Sequence, residues 1–299
     1  MLGETLDSIL AQTYTHWECI VVDDESKDNT LLLLASYVKK DKRFTFFKKP
    51  SHLKKGGNAA RNFGFTKAKG SYVNFFDSDD LMLPFFLETK IKVFLKNSSI
   101  PFVVTKSVNF TEEEQTEITK YQYNTTSPLT LENFISGKSY WITKDFMAQK
   151  TLLDQVRFDE HLQSGQETHY FLLFLSQIKQ AGFFIDKVTT LRRVHEGSIQ
   201  QQLKKNKVNA HKGALTSWFS AYTAIKNNIN KPECIAMQNR LIVIMYRLGL
   251  SSLPLKKLSP FLKNLLQTKG VLKTGAFIAA LLINSISKYG YGFMNFSRS

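Results

Sequence analysis

The chain has 299 residues, 43% of them hydrophobic and 22% charged. That balance supports a sizeable core and excludes a disordered polyampholyte or a low-complexity chain. Cys19 and Cys234 are far apart and lack ligand spacing, which argues against a disulfide framework and for reduced thiols. The formal net charge is +15, and it is unevenly placed. No Asp or Glu follows Glu233, while Arg240, Arg247, Lys256, Lys257, Lys263, Lys269, Lys273, Lys288 and Arg298 do.

In chain order, the first two thirds alternate helix-like and strand-like segments. "GETLDSILAQT" spaces Leu6, Ile9 and Leu10 as one helical face. "WECIVVDD" reads as a strand ending in charge, and "SKDNTLLLLASYVKKD" as a helix opened by capping residues. "RFTFFKKP" reads as a strand stopped by Pro50. "GGNAARNFGFTKAKG" reads as a loop and a helix closed by Gly70. "SYVNFF" is the next strand, "PFFLETKIKVFLKN" a helix with proline in its first turn, and "PFVVTKSVNF" a further strand. This order predicts an α/β domain with a largely parallel sheet and helices on both faces. From about Ser198 the pattern turns helical, with breaks at Pro254 and Pro260. The expected division is residues 1–197 as the α/β domain and 198–299 as a basic helical region.

No basic-then-apolar leader is visible at the N-terminus. The longest apolar run, Gly275 to Ile286, is shorter than the roughly 20 residues that span a bilayer. The expectation is a core or in-plane helix. The basic, partly apolar tail suits an anionic membrane surface, with a solvated basic face as the plainer alternative. The Asn-X-Thr triplets at Asn109 and Asn124 are expected to be chance.

The chemistry concentrates where strands end. In "FFDSDD", Asp77 and Asp79 are two apart, a spacing that puts both carboxylates on one face of extended backbone. Converging carboxylates hold hard divalent ions such as Mg²⁺ or Mn²⁺, which can neutralise a diphosphate leaving group. The plainer alternative is a surface turn with Asp80 capping the next helix. In "IVVDDESKDNT", Asp23 can accept hydrogen bonds from a base or ribose, while Asp24, Ser26 or Asp28 caps the helix. Arg61, in the first turns of the "GGNAARNFG" helix, can contact phosphate or pin a carboxylate.

These segments, with "VRFDEHLQSGQETHYFLLFL" and "TTLRRVHEGSIQ", resemble the family 2 glycosyltransferases over roughly residues 2 to 200. The resemblance implies a GT-A fold, a Rossmann-like sheet that binds a nucleotide-diphosphate sugar. It implies metal-assisted, inverting transfer to an acceptor hydroxyl, with Mn²⁺ or Mg²⁺ as cofactor and a saccharide or lipid-linked acceptor. It assigns Asp23 to the nucleotide base and Arg61 to the nucleotide site. Asp77, Asp79 and His195 fall to the metal and diphosphate, with Asp79 the more direct ligand. Where the family usually has an acidic pair, the chain reads Gln166-Glu167, so Glu167 takes the place of the general base.

One departure stands out. Family members normally begin with a central strand and a nucleotide-binding loop of the form apolar-apolar-Pro-Thr-Tyr-Asn, and this chain begins inside the helix that follows. A lost central strand leaves neighbouring backbone groups unpaired, so an upstream extension is expected to restore stability and activity. The resulting reading is a sugar transferase in cell-surface polysaccharide or glycolipid synthesis, cytoplasmic and peripheral at the inner membrane face. The competing reading is a truncated or degenerate nucleotide-binding module without catalysis. A nucleic-acid partner is not expected, because the charge comes with no nucleic-acid-binding motif. A phosphatase reading of "DSDD" ranks low, because aspartyl-nucleophile phosphatases place that motif after the first strand.

Overall fold

The computed structural model describes all residues except 112–118, 121–126, 196–206, 254 and 287–289. The Asn124 triplet, Pro254 and the stretch that follows His195 lie outside the described residues. Contacts divide the chain into two units. The first comprises Met1–Thr130, Lys138–His161 and Gln177–Ser198. The second comprises Leu131–Gly137, Leu162–Ser176 and Ile199–Ser299, so two segments ahead of residue 197 pack with it.

The first unit opens with α1 (Leu2–Leu10), β1 (Cys19–Asp23), α2 (Thr30–Lys40), β2 (Phe44–Lys48) and α3 (Gly57–Lys67). It continues with β3 (Tyr72–Val73), β4 (Leu81–Met82), α4 (Phe86–Lys96), β5 (Phe102–Phe110) and β6 (Thr119–Lys120). β7 (Phe146–Gln149), α6 (Lys150–Leu153) and β8 (Phe183–Arg193) complete it. The apolar stripe of α1 does what its spacing predicts. Leu6 and Ile9 are buried with Leu34 and Tyr37 of α2, Phe44 of β2, and Met82 and Phe86.

The strands form two sheets, a parallel pair and a larger mixed sheet, where one largely parallel sheet was expected. β1 and β2 pair in parallel, Cys19 opposite Phe44 through Asp23 opposite Lys48. The larger sheet runs β3-β7-β5-β8-β4, with β6 added to β5, and only its β5–β8 pair is parallel. Long stretches of chain return through β7 and β8, which lie antiparallel to their neighbours β3 and β4 and make the sheet mixed. Periodicity alone carries no signal for such pairings.

Between β1 and β3 lies a cavity of about 1020 Å³, lined by Leu6 and Ile9 of α1, Ile20 and Val22 of β1, and Val73 and Phe75. Cys19 N–H donates to Arg43 of the β2 side, and Asp23 C=O accepts from Lys49. In a parallel strand, alternate residues direct both backbone groups to the same side. Ile20 and Val22 therefore direct theirs away from β2, into this cavity. Among the described residues, β1 has β2 as its one strand partner.

Two local expectations also change. α3 stops at Lys67 with Ala68 extended, and Gly70 is not its cap. Instead the Lys69 and Gly70 N–H groups donate to Glu18, at 2.6 and 2.7 Å. "SYVNFF" forms only a two-residue strand, and "DSDD" occupies a turn between β3 and β4, not extended backbone.

The second unit contains α5 (Leu131–Ser136), α7 (Gln166–Gln177), α8 (Lys207–Ile225), α9 (Lys231–Leu248), α10 (Leu255–Ile286) and α11 (Tyr291–Arg298). "NKPE" starts α9 as a capping box. The Asn230 side chain accepts from Glu233 N–H, the Glu233 carboxylate accepts from Asn230 N–H, and Pro232 sits in the first turn. Inside, Gln238 of α9 donates to Tyr222 of α8 and Asn264 of α10, both at 2.9 Å, and accepts from Thr268. A fully bonded buried amide of this kind fixes the register of three helices.

Candidate active site

The turn after β3 gathers the carboxylates. Asp77, Asp79 and Asp80 each bring one oxygen within 4.8 Å of the others. Like charges at that separation repel unless cations intervene, and here the chain supplies two. Arg61 Nη2 donates to Asp77 Oδ1 at 2.6 Å, and Lys144 Nζ lies 3.2 Å from Asp77 Oδ2. Lys144 is also ion-paired with Asp80, and both side chains are buried. Burial alone would raise the Asp77 pKa, but Lys144 and Arg61 outweigh it and hold the carboxyl well below its ordinary range.

Asp80 is therefore not a helix cap. Its other oxygen accepts from Arg193 N–H at 2.8 Å, which ties the turn to the end of β8. Arg193 Nε donates to Asp79 C=O at 2.9 Å, and its guanidinium reaches Glu4 of α1.

Asp79 faces outward from this ion-paired base. Its Oδ2 lies 3.2 Å from His195 Nε2, and both side chains are about one third exposed. A carboxylate oxygen and an imidazole nitrogen converge at the surface, and it is the carboxylate, with Asp77 and Asp80 near it, that suits hard ions such as Mn²⁺ or Mg²⁺. The structure thus brings Arg61 to Asp77 and His195 to Asp79.

Asp23 ends β1 and is buried, with its carboxylate accepting from Ser26 N–H at 3.3 Å. Asp24 is engaged elsewhere. It accepts from Gly56 N–H at 2.7 Å and ion-pairs with buried Lys49 at 3.1 Å, fastening the loop before α3 to the end of β1. Of the candidate caps for α2, it is Asp28 that accepts from Thr30 N–H. Gly57 has a local reason to lack a side chain, since a Cβ there would sit 3.1 Å from Arg61 Nη1. Asp24, Gly57, Arg61, Asp77 and Ser78 line one end of the cavity between β1 and β3.

Glu167 belongs to the second unit, in the first turn of α7. The entry to that helix is tightly built. Gly165 has φ +70°, and a Cβ on it would overlap the side chain of Ser217 of α8.

Sequence reasoning missed Lys144 and the buried role of Asp80. Lys144 is held from behind by a second buried lysine. Lys90 Nζ donates to Asn74 Oδ1 at 2.8 Å and to the Lys144 C=O at 3.2 Å, and Asn74 donates to that same carbonyl. Burial pushes the Lys90 pKa well below its usual value, against the pull of Asp145. The available signal was a lysine inside the apolar run "WITKDFM", an expensive position unless a carboxylate meets it.

Residues 1–156 match the family model described as glycosyl transferase family 2. An uncharacterized glycosyltransferase of Rickettsia felis is 30% identical over 203 residues, which are 65% of this chain and 31% of that protein. The chain thus spans about a third of that relative's length. The GalNAc(5)-diNAcBac-PP-undecaprenol beta-1,3-glucosyltransferase of Campylobacter jejuni is 26% identical over 226 residues, 72% of this chain and 68% of that protein. Among solved structures, the 1–349 fragment of S. aureus TarS in complex with UDP-GlcNAc superposes with a TM-score of 0.64 at 17% identity. That superposition covers 99% of this chain and 85% of the fragment. It identifies the fold as GT-A-like, a mixed sheet with helices on both sides followed by a helical region.

Proposed function

The chain belongs to glycosyl transferase family 2, and we propose that it moves a sugar from a nucleotide-diphosphate donor to an acceptor hydroxyl with inversion. The observation that carries this reading is the Asp79–His195 pair, set on a turn whose other two carboxylates are neutralised by Lys144 and Arg61. The acceptor class follows by similarity. The Campylobacter relative is named for an undecaprenol-linked acceptor, so a lipid-linked or surface saccharide is the first acceptor to test.

In this reading Asp23 meets the nucleoside. Arg61 contributes positive charge where the diphosphate arrives, while its bond to Asp77 fixes the guanidinium. Asp79 and His195 would hold Mn²⁺ or Mg²⁺, with Asp77 beside them. When bound, the ion supplies positive charge to the departing diphosphate. Glu167 accepts the proton of the acceptor hydroxyl. The hydroxyl oxygen forms a bond to the anomeric carbon from the face opposite the leaving group. The bond from that carbon to the diphosphate oxygen breaks, and the oxygen keeps the electron pair.

The test is calorimetry of UDP, GDP, CDP and dTDP, with and without Mn²⁺, on the chain and on Asp79→Asn. It is followed by transfer assays on Glu167→Gln. One nucleotide bound in an Mn²⁺- and Asp79-dependent way, with transfer lost in Glu167→Gln, is the expected result. That β1 pairs with β2 alone among the described residues, beside a cavity, favours a second reading, a nucleotide-binding module without transfer. Nucleotide binding with no transfer by any length of chain would select it.

A further inference from the structure

The final helical hairpin turns an apolar face to solvent. α10 breaks at Gly270, where φ is 81° and ψ 178°, and a new helical run starts at Val271. In that run Val271, Gly275, Ile278, Leu282 and Ile286 recur every three or four residues, a narrow stripe at 100° per residue. The stripe faces outward. Val271 is 74% exposed, Leu282 49% and Ile286 87%, whereas Phe277, Ala280 and Leu281 on the opposite side are buried.

α11 folds back along this run. Gly290 backs closely onto Ala280, and Lys269 Nζ donates to the C=O groups of Ser297 and Arg298 at 3.0 and 2.7 Å. α11 adds Phe293 and Phe296, each about half exposed, while Tyr291 on its other side packs on Tyr246 of α9. A helix resting on a soluble core normally hides its apolar stripe and shows a polar one. An apolar stripe left exposed along a helix that is packed on its other side marks an interaction surface.

The charge at the Gly270 end of the hairpin, where Lys269, Lys273 and Arg298 gather, selects the partner. No acidic residue follows Glu233. Among the described residues, no carboxylate lies within ion-pair distance of Lys269, Lys273 or Arg298. Burial, with Lys273 and Arg298 beside it, pushes the Lys269 pKa down to about 8. Burial, Arg247 and Arg298 likewise lower that of Arg240. Cations crowded together without counter-charge are stabilised by an anionic surface brought against them.

We propose that the α10–α11 hairpin docks on an anionic phospholipid bilayer. It lies in the interfacial plane, with the Val271–Ile286 stripe and the Phe293 and Phe296 rings of α11 at the acyl boundary. Residues Lys256–Ile286 include an 18-residue window of mean hydropathy 1.3, which by composition alone suffices to cross a membrane. The break at Gly270 argues for the plane instead. The run from Val271 to Ile286 is about 24 Å long at 1.5 Å per residue, short of a hydrocarbon core about 30 Å thick. Apolar insertion and basic attraction together give the two signals that stable peripheral binding needs. The cytosolic leaflet carries the matching negative charge, which would make this a peripheral protein of the inner membrane face.

The test is flotation of the full chain with vesicles of phosphatidylcholine, alone or mixed with phosphatidylglycerol. Two variants accompany it, Ile278→Ser/Leu282→Ser/Ile286→Ser and Lys273→Gln/Arg298→Gln. Circular dichroism confirms that each is folded, and sedimentation velocity follows self-association. Expected are binding to the anionic vesicles alone, a loss of more than tenfold in the apolar triple variant, and a loss of about fivefold per cation removed. Alkaline carbonate is expected to release the bound protein. Equal binding to neutral vesicles, full binding by the triple variant, or resistance to carbonate would overturn the proposal. So would a solution dimer that the triple variant breaks while vesicles go unbound.

Discussion

Lys144 and Asp80 form a buried ion pair beneath the turn that carries Asp77 and Asp79, with side-chain exposures of 5% and 1%. The same ammonium reaches Asp77 at 3.2 Å, so one lysine neutralises two of the three clustered carboxylates. The third, Asp79, keeps its outward orientation toward His195.

Removing this cation should unsettle the turn. Lys144→Met leaves Asp80 buried without its partner, and breaking a buried pair from one side costs about 3–5 kcal/mol. Urea unfolding of Lys144→Met should show a loss of that order. Lys144→Met/Asp80→Asn should recover much of it, because the buried charge is gone while the amide oxygen still accepts from Arg193 N–H. Equal losses in the single and double variants would contradict the pairing.

The cations on Asp77 set an acid response. The Asp77 pKa is lower in the folded chain than its ordinary 3.8. The unfolded chain therefore binds the proton more readily, and stability rises with pH through this window. The contribution of Asp77 is complete above the ordinary carboxylate range and is lost as pH falls through the folded-state value. Replacing Arg61 with Gln removes one of the two cations. The onset of acid unfolding, followed by tryptophan fluorescence from pH 5 downward, should then move to higher pH.

Asp79→Asn and His195→Ala should each weaken Mn²⁺-dependent nucleotide binding by at least tenfold while leaving the melting temperature nearly unchanged, since both side chains are partly exposed. Arg61→Gln differs in kind, because it weakens binding with or without metal. Calorimetry with Mn²⁺ and with EDTA separates the two patterns.

Gly165 should resist substitution. Its φ of +70° disfavours any side chain, and a Cβ would overlap Ser217. Gly165→Ala should cost about 1–3 kcal/mol, read as a lower urea midpoint. Gly165→Ala/Ser217→Gly should regain the packing part and not the backbone part.

The cavity beside β1 makes a separate prediction. Joining a short β-forming apolar segment to Met1 should fill it, because Ile20 and Val22 direct backbone groups there and α1 lines its wall. The extended chain should melt several degrees higher and bind less of a hydrophobic dye. An extension scrambled to alternate charges should do neither.

The sequence by itself determined the α/β character of the first two thirds, the helical character of the last third, and the family. Those signals are local. Leu6 and Ile9 mark a helix face through their spacing, and "DSDD" after an apolar run is a motif at one place in the chain. That Arg61 can pin a carboxylate was legible in a short stretch, and the fold pairs it with Asp77.

Tertiary structure alone decided what those residues do to one another. Lys144 stands 64 residues from Asp80, and nothing in "WITKDFM" names its partner. The mixed sheet depends on pairings such as β5 with β8, whose registers are set by packing and not by either strand's pattern. The roles of Asp77, Asp79 and Asp80 differ because burial and cations differ within one turn. Burial and charge at a point in space are sums over distant residues, so only the folded chain fixes them.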